Sequence, residues 1–226
     1  MDIYTDRVRE LQIARTIENL KKNNMEAAFI PTAQDVLPML RYIIEEDSTV
    51  ALGGSATLSE TGAVKMLRNG PYNLIDRYES NLTEQQVKER FRAAFSADLF
   101  LTSVNAVTER GELYCVDGRS NRVAPMLYGP EKVVVVVGVQ KIVPTLKDAV
   151  NRVKQFAAPA NAMRLEIDTP CVKDGLCIAP FIDPDDLMAI PVGLCDNGIC
   201  CNMVTFGRQS VKGRISVYIV GEELGY

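Results

Sequence analysis

The stretch 51–62, ALGGSATLSETG, places Gly53 and Gly54 before the hydroxyls of Ser55 and Thr57 and the carboxylate of Glu60. A strand running into such a turn and then a helix aims free backbone N–H groups at an anion, and the helix dipole favours negative charge there. The pattern lacks the lysine-containing ending of a Walker loop and the spacing of GxGxxG. A tight turn with a helix cap fits the same residues, so both readings stand. A second polar group lies within 102–122: Thr102, Ser103, Asn105, Thr108 and Glu109, then Asp117, Gly118, Ser120, Asn121 and Arg122. Arg122 has the fork geometry to take a carboxylate or phosphate. Turn and cap duties for Asp117 and Asn121 are the plain alternative. Lys141 follows the run VVVVVGV. If buried, its pKa falls towards a catalytic range; otherwise it is an ordinary surface lysine.

The chain contains no histidine. Ser–His–Asp and Cys–His catalysis are therefore excluded within it, as is a zinc site using imidazole. Acid–base work falls to Asp, Glu, Lys, Tyr or Cys. Glu60 and Asp117 are the best acid–base candidates, and Asn105 and Lys141 are placed to polarise a carbonyl. Five of the six cysteines crowd a stretch rich in proline and glycine: Cys171, Cys177, Cys195, Cys200 and Cys201. No pair makes CxxC, so zinc-ribbon spacing is absent. Four-thiolate binding of zinc or an iron–sulfur cluster by Cys171, Cys177, Cys195 and Cys200 is one reading. Redox-sensitive thiols, a disulfide and plain burial are the others. Cys115 stands apart in a strand-like segment and reads as core.

These residues need elements to position them. Apolar residues at helical spacing predict a helix over 3–22. MEAAFIP reads as a strand ended by Pro31. A helix carrying Val36, Leu37, Leu40, Ile43 and Ile44 follows, capped by Thr32 or, better, Asp35. STVALGG is a strand, and a helix is expected from about Ala56 to Leu67. YNLIDRY is a strand candidate, Thr83 caps EQQVKERFRAAF, and ADLFLTSV is a strand. GELYCVDG is extended, and NRVAPMLYG is helical with Pro125 in its first turn. The valines of KVVVVVGV imply burial on both faces, as in a parallel sheet. PTLKDAVNRVKQFAAP is an amphipathic helix with Pro144 near its first position. After a loop-rich, cysteine-containing excursion over 168–203, GRISVYIVGEELGY returns to a strand with Ile215, Val217 and Ile219 on one face. Strands alternating with helices predict an α/β fold with a mostly parallel central sheet and helices on both faces. Both polar groups fall at strand carboxyl ends, where ligands bind in open α/β sheets.

With 226 residues, a core of ordinary size is affordable in surface terms, and one domain over 1–226 with an N-terminal helix in 1–25 is the expected organisation. Net charge is −4, from 25 basic and 29 acidic residues, which argues against nucleic acid as a partner. The longest purely apolar run, Val133–Val139, is too short to span a bilayer. The first residues carry charge throughout. The expectation is a cytoplasmic protein without membrane association, in which the six cysteines are thiols or ligands rather than disulfides.

The segments GGSATLSETG, ADLFLTSVNAVTERGELYCVDGRSNRVAPMLYGPEKVVVVVGVQKIV, APANAMRL, TPC…GLC and GICCN…KGRISVYIVGEELGY resemble, in order, the LUD (lactate-utilisation) domain family over about residues 49–226. That family resembles the superfamily of ribose-5-phosphate isomerase, glucosamine-6-phosphate deaminase and CoA transferases. There, a glycine–hydroxyl turn after an early strand holds a phosphate or acyl group. Carried over, the resemblance implies that Gly53, Gly54, Ser55 and Thr57 hold an anion, with Glu60 behind them and Asn121 and Arg122 closing on it. It implies a small organic acid or sugar phosphate as ligand, in lactate or related 2-hydroxy-acid metabolism. It also implies iron–sulfur protein partners of lactate oxidation; a homo-oligomer is plausible for the architecture. Related short members run PC…GxCxDC…RIC, whereas here the second cysteine near Cys177 is missing and Cys195 is its substitute. A non-catalytic accessory subunit with a cysteine-bound metal is the rival. A sugar-phosphate isomerase or CoA transferase is a third reading, although Glu60, one turn into a helix, suits a covalent nucleophile poorly.

Overall fold

The computed structural model describes residues 3–179 and 193–226. Six strands form one sheet in the order β1-β10-β7-β4-β2-β3: β1 (Glu26–Ile30), β2 (Thr49–Leu52), β3 (Asn73–Ile75), β4 (Leu99–Thr102), β7 (Lys132–Gly138) and β10 (Ile215–Val220). Every ladder in it is parallel. A second sheet runs β8-β5-β6-β9, built from β5 (Ala106–Thr108), β6 (Leu113–Asp117), β8 (Ile142–Val143) and β9 (Asn202–Phe206). Its β5–β6 and β6–β9 ladders are antiparallel.

The valine strand explains how layers stack on the six-stranded sheet. Side chains alternate across a strand, so Val133, Val135 and Val137 join one apolar cluster while Val134 and Val136 join another. The first cluster also takes Ile215, Val217 and Ile219, Ile13 and Leu20 from α1 (Ile3–Lys22), and Val107, Leu113 and Cys115 from the second sheet. The second takes Val36 and Leu40 from α2 (Val36–Ile43), Leu58 from α3 (Ala56–Glu60), and Met66 and Leu67 from α4 (Ala63–Asn69). A third cluster packs α7 (Leu146–Arg152) against β5 and β6 through Ala149, Val150, Ala106, Tyr114 and Val116. Helices thus cover both faces of a parallel sheet, as the alternation predicted, and Cys115 is core.

Several boundaries differ from the sequence expectation. The helix expected from Ala56 to Leu67 is two helices, because Gly62 adopts φ 75° and turns the chain between them. A left-handed residue cannot continue an α-helix. Thr145, not Pro144, starts α7: its hydroxyl accepts from the Asp148 N–H in a capping box, leaving Pro144 outside. That helix does not end at Pro159. A π-turn over Val153–Ala157 carries it into α8 (Ala158–Arg164), which includes Pro159. Thr32 and Asp35 share the capping, since the Asp35 carboxylate accepts from the Thr32 N–H and hydroxyl at the entry to α2. Thr83 caps α5 (Glu84–Ala93) as expected, with Gln86 completing a capping box. α6 (Val123–Leu127) keeps Pro125 in its first turn. Strands β5 and β9 were not foreseen. Part of the cysteine-rich excursion, residues 180–192, lies outside the described residues; it opens with α9 (Pro170–Asp174).

Candidate functional site

Because all five of its ladders are parallel, every strand of the main sheet presents its carboxyl end on one edge. Gly53 and Gly54 leave β2 there, Arg77 and Tyr78 follow β3, Ser103 to Asn105 follow β4, and Lys141 follows β7. β6 of the second sheet brings Asp117 to the same place. A cleft of about 720 Å³ opens between them, walled also by Asn161 and Arg164 of α8, by Asp196–Ile199 and by Tyr226.

The glycine turn divides its labour. Gly53 does not line the cleft; a Cβ there would lie 2.3 Å from Thr102 Oγ1, so the glycine lets β2 and β4 approach. Gly54 does line it, and a Cβ on Gly54 would meet Arg77 Nη2 at 2.4 Å. The bare backbone thereby gives the Arg77 guanidinium room to lie across the turn. Arg77 is held over the rings of Tyr78 and Phe91, 4.6 and 5.3 Å from their centroids, and its Nε is buried without a hydrogen-bond partner. Ser55 caps α3 by accepting from the Leu58 N–H at 3.2 Å, and it faces the cleft. The cap reading of the turn is thus realised. Anion binding by Ser55 is compatible with it, because the cap uses the hydroxyl as acceptor and not as donor.

Thr57 lies behind the wall. Its hydroxyl donates to the Leu224 carbonyl at 3.1 Å and accepts from Lys141 Nζ at 3.0 Å. Lys141 is 3% exposed yet reaches the cleft. It also donates to Ser103 Oγ at 3.4 Å. Burial pushes its amine down to about 7, helped by the cations of Arg152 and Arg122, with Glu60 and Cys115 opposing. The surface-lysine alternative is therefore excluded. Arg152 itself ties the ends of β4 and β7 together by donating to the Asn105 carbonyl at 2.7 Å and the Gln140 carbonyl at 3.3 Å.

Of the polar segment 102–122, Ser103, Asn105, Asp117 and Arg122 converge and hold one another, whereas Thr108 donates to Glu112 and Glu109 pairs with Arg15 of α1, away from the cleft. Arg122 donates from Nε to Asp117 Oδ1 at 2.8 Å, from Nη1 to the Ser103 carbonyl at 3.2 Å, and from Nη2 to Asn105 Oδ1 at 2.7 Å and the Val116 carbonyl at 3.0 Å. Asp117 Oδ2 accepts from the N–H groups of Arg122 and Val123. Asn105 Oδ1 also accepts from the Val116 N–H at 2.9 Å. Asp117 is thus the cap of α6 and the counter-ion of Arg122, with its oxygens already engaged. Arg122 supports the cleft floor more than it reaches for a ligand. Asn121 lines the cleft. Glu60 is not among its walls: its carboxylate accepts from the Gly225 N–H at 2.7 Å and pins the segment that carries Tyr226.

Sequence reading missed three cations. Arg77 follows β3, and the carboxyl-end rule that picked out Lys141 applies to it equally. Arg119 is exposed on the cleft rim. Arg164 hydrogen-bonds Tyr226 and Asn161, and Tyr226 donates to Asn161 Oδ1 at 3.1 Å. No local pattern in 161–164 announces this, since the site forms only when α8 packs beside the sheet edge.

The cysteines lie beside the cleft. Cys171, Cys177, Cys195, Cys200 and Cys201 surround an apolar cavity of about 110 Å³ that shares Asp196, Gly198, Ile199 and Cys201 with the cleft wall. Burial, with the other cysteines adding to it, pushes the Cys200 thiol up to about 12. Thiols are the right donor type for zinc or an iron–sulfur cluster. Among the described residues, however, no three His, Cys, Asp or Glu are placed to hold one ion.

The LUD domain model matches residues 13–220. The chain belongs to the LUD domain family. A DUF162 family protein from Deinococcus radiodurans shares the fold of this LUD-domain chain with a TM-score of 0.51 at 13% identity, over 94% of this chain and 98% of that one. A looser match, to eIF2B beta from Chaetomium thermophilum, has a TM-score of 0.36 at 13% identity over 50% and 43% of the two chains, too low to argue from. No curated protein matches the sequence. No helix among the described residues of this LUD-domain protein is long and apolar enough to cross a membrane.

Proposed function

We infer that this LUD-domain protein binds a small organic acid or sugar-phosphate anion in the cleft at the carboxyl edge of its sheet, in metabolism related to lactate utilisation. Family membership supports the metabolic setting. One observation carries the ligand class: with Arg122 and Asp117 neutralising each other, Arg77, Arg119 and Arg164 face a cleft whose remaining acid is Asp196, in a chain of net charge −4. Cations gathered against the overall charge favour an anionic ligand. Gly54 and Ser55 border the place where Arg77 would meet it, and Asn105 and Asn121 add polar contacts.

A thermal-shift panel of lactate, pyruvate, other small acids and sugar phosphates tests this. A ligand at a hundredfold excess over its Kd stabilises by about 2.7 kcal/mol, or roughly 5–10 °C for a chain of this size. Arg119→Gln combined with Arg164→Gln should shrink the shift. No shift with any anion, or a shift undiminished by both substitutions, would remove the cleft from consideration.

A second reading, an accessory subunit that docks iron–sulfur partners through its cysteine lobe, is favoured by the five thiols around one cavity. Anaerobic purification followed by metal and sulfide analysis distinguishes it; metal at trace level would count against it.

A further inference from the structure

Lys141 is unlike the other cations of the cleft. The hydrogen bonds around it have a fixed direction. The Thr57 hydroxyl spends its proton on the Leu224 carbonyl, and the Ser103 hydroxyl spends its own on the Val104 carbonyl at 3.5 Å. Both oxygens accept from Lys141 Nζ, at 3.0 and 3.4 Å. A neutral amine has two N–H groups and one lone pair. With both N–H groups committed, the lone pair takes a remaining tetrahedral position, and Nζ borders the cleft. Gly225 closes the opposite side: at φ 63° a Cβ there would stand 3.3 Å from Nζ and 2.7 Å from Thr57 Oγ1. No carboxylate pairs with Lys141 among the described residues; Glu60, its nearest acidic influence, is bonded to the Gly225 N–H.

The geometry points to Lys141 as an amine nucleophile that forms a reversible imine with a small carbonyl compound carrying a carboxylate or phosphate. The inference rests on the anion-binding reading of the cleft and adds the reactive group of the ligand. Arg77, Arg119 and Arg164 would hold the anionic end, and the carbonyl carbon would come to Nζ. The amine lone pair forms the C–N bond as the carbonyl π pair moves to oxygen. Both Nζ protons then leave with that oxygen as one water, and the C=N bond remains; hydrolysis reverses the step. No oxidant or reductant is needed. The lowered proton affinity of this amine, already traced to burial and to Arg152 and Arg122, keeps much of it nucleophilic at neutral pH.

The test is reductive trapping. The full chain is incubated with pyruvate or with dihydroxyacetone phosphate in the presence of cyanoborohydride, digested, and mapped by tandem mass spectrometry, while calorimetry follows binding of the same two compounds. The expected result is one saturable adduct on the peptide carrying Lys141. An adduct with pyruvate alone assigns a carboxylate ligand, and one with dihydroxyacetone phosphate alone assigns a phosphate. Lys141→Met should lose the adduct while melting cooperatively, although mapping on the native chain suffices if that variant misfolds. Binding without an adduct on Lys141 overturns the imine and leaves the anion site. Adducts scattered over exposed lysines such as Lys21 and Lys88 overturn it too. Neither adduct nor binding overturns both the imine and the anion reading beneath it.

Discussion

At the scale of residues, two side chains show why charge alone misleads. Lys141 sits 3% exposed with an amine at about 7 against an ordinary 10.5. Between these values the unfolded chain binds the proton and the native chain does not, so this group makes stability rise with pH from about 7 to 10.5. We predict that Lys141→Met stabilises the fold by about 2–4 kcal/mol near pH 7.5, and that the gap closes as pH passes 10.5. Urea unfolding of both proteins across this range checks it; a gap independent of pH would contradict it. Arg122 is the reverse case. Its side chain is 12% exposed and serves four protein acceptors, with Asp117 at 8% beside it. Arg122→Ala would strand a buried carboxylate, so we predict a loss of about 3–5 kcal/mol rather than a clean loss of ligand affinity, and partial recovery when Asp117→Asn is added. Equal denaturation midpoints for Arg122→Ala and the native chain would sink that role. Lys141 was legible in sequence because it follows a strand that must be buried. Arg122's structural duty was not, because its acceptors Ser103, Asn105 and Val116 reveal themselves only when β4 and β6 are brought together.

At the scale of elements, the turn after β2 joins a strand end to a cap and to a cation from the next strand. The strand, the two glycines and the Ser55 cap could be read locally, since each depends on residues close in sequence. The Gly54–Arg77 fit could not, because it depends on the parallel pairing of β2 with β3. Gly54→Ala should displace the flexible end of Arg77, lowering anion affinity about tenfold while the melting temperature moves little. Unaltered affinity would show that Arg77 is not a ligand group. Short strands were missed for a related reason: β5 is three residues long and pairs with β6 and β8, so its identity lies in its partners. The single helix expected over Ala56–Leu67 failed on one backbone angle at Gly62, a residue whose freedom to adopt positive φ is not visible in apolar spacing.

At the scale of the whole molecule, the alternation of strands and helices was enough to give the parallel sheet and its layers, because Val133–Val137 must find apolar partners on both faces. The cleft needed more. It forms where that sheet's carboxyl edge meets the second sheet and α8, and this meeting gathers cations that sequence scatters from Arg77 to Arg164. Its field is a sum of separated charges, so binding should weaken with salt and each arginine should contribute partially and nearly additively. The most direct test of the account is a calorimetric titration of pyruvate and inorganic phosphate, at low and at physiological ionic strength, into the native chain and into the combined Arg77→Gln, Arg119→Gln, Arg164→Gln variant. The account predicts saturable binding of at least one anion to the native chain, weakened by salt and lost in the variant. Binding that the variant retains, or none to the native chain at low salt, would contradict it.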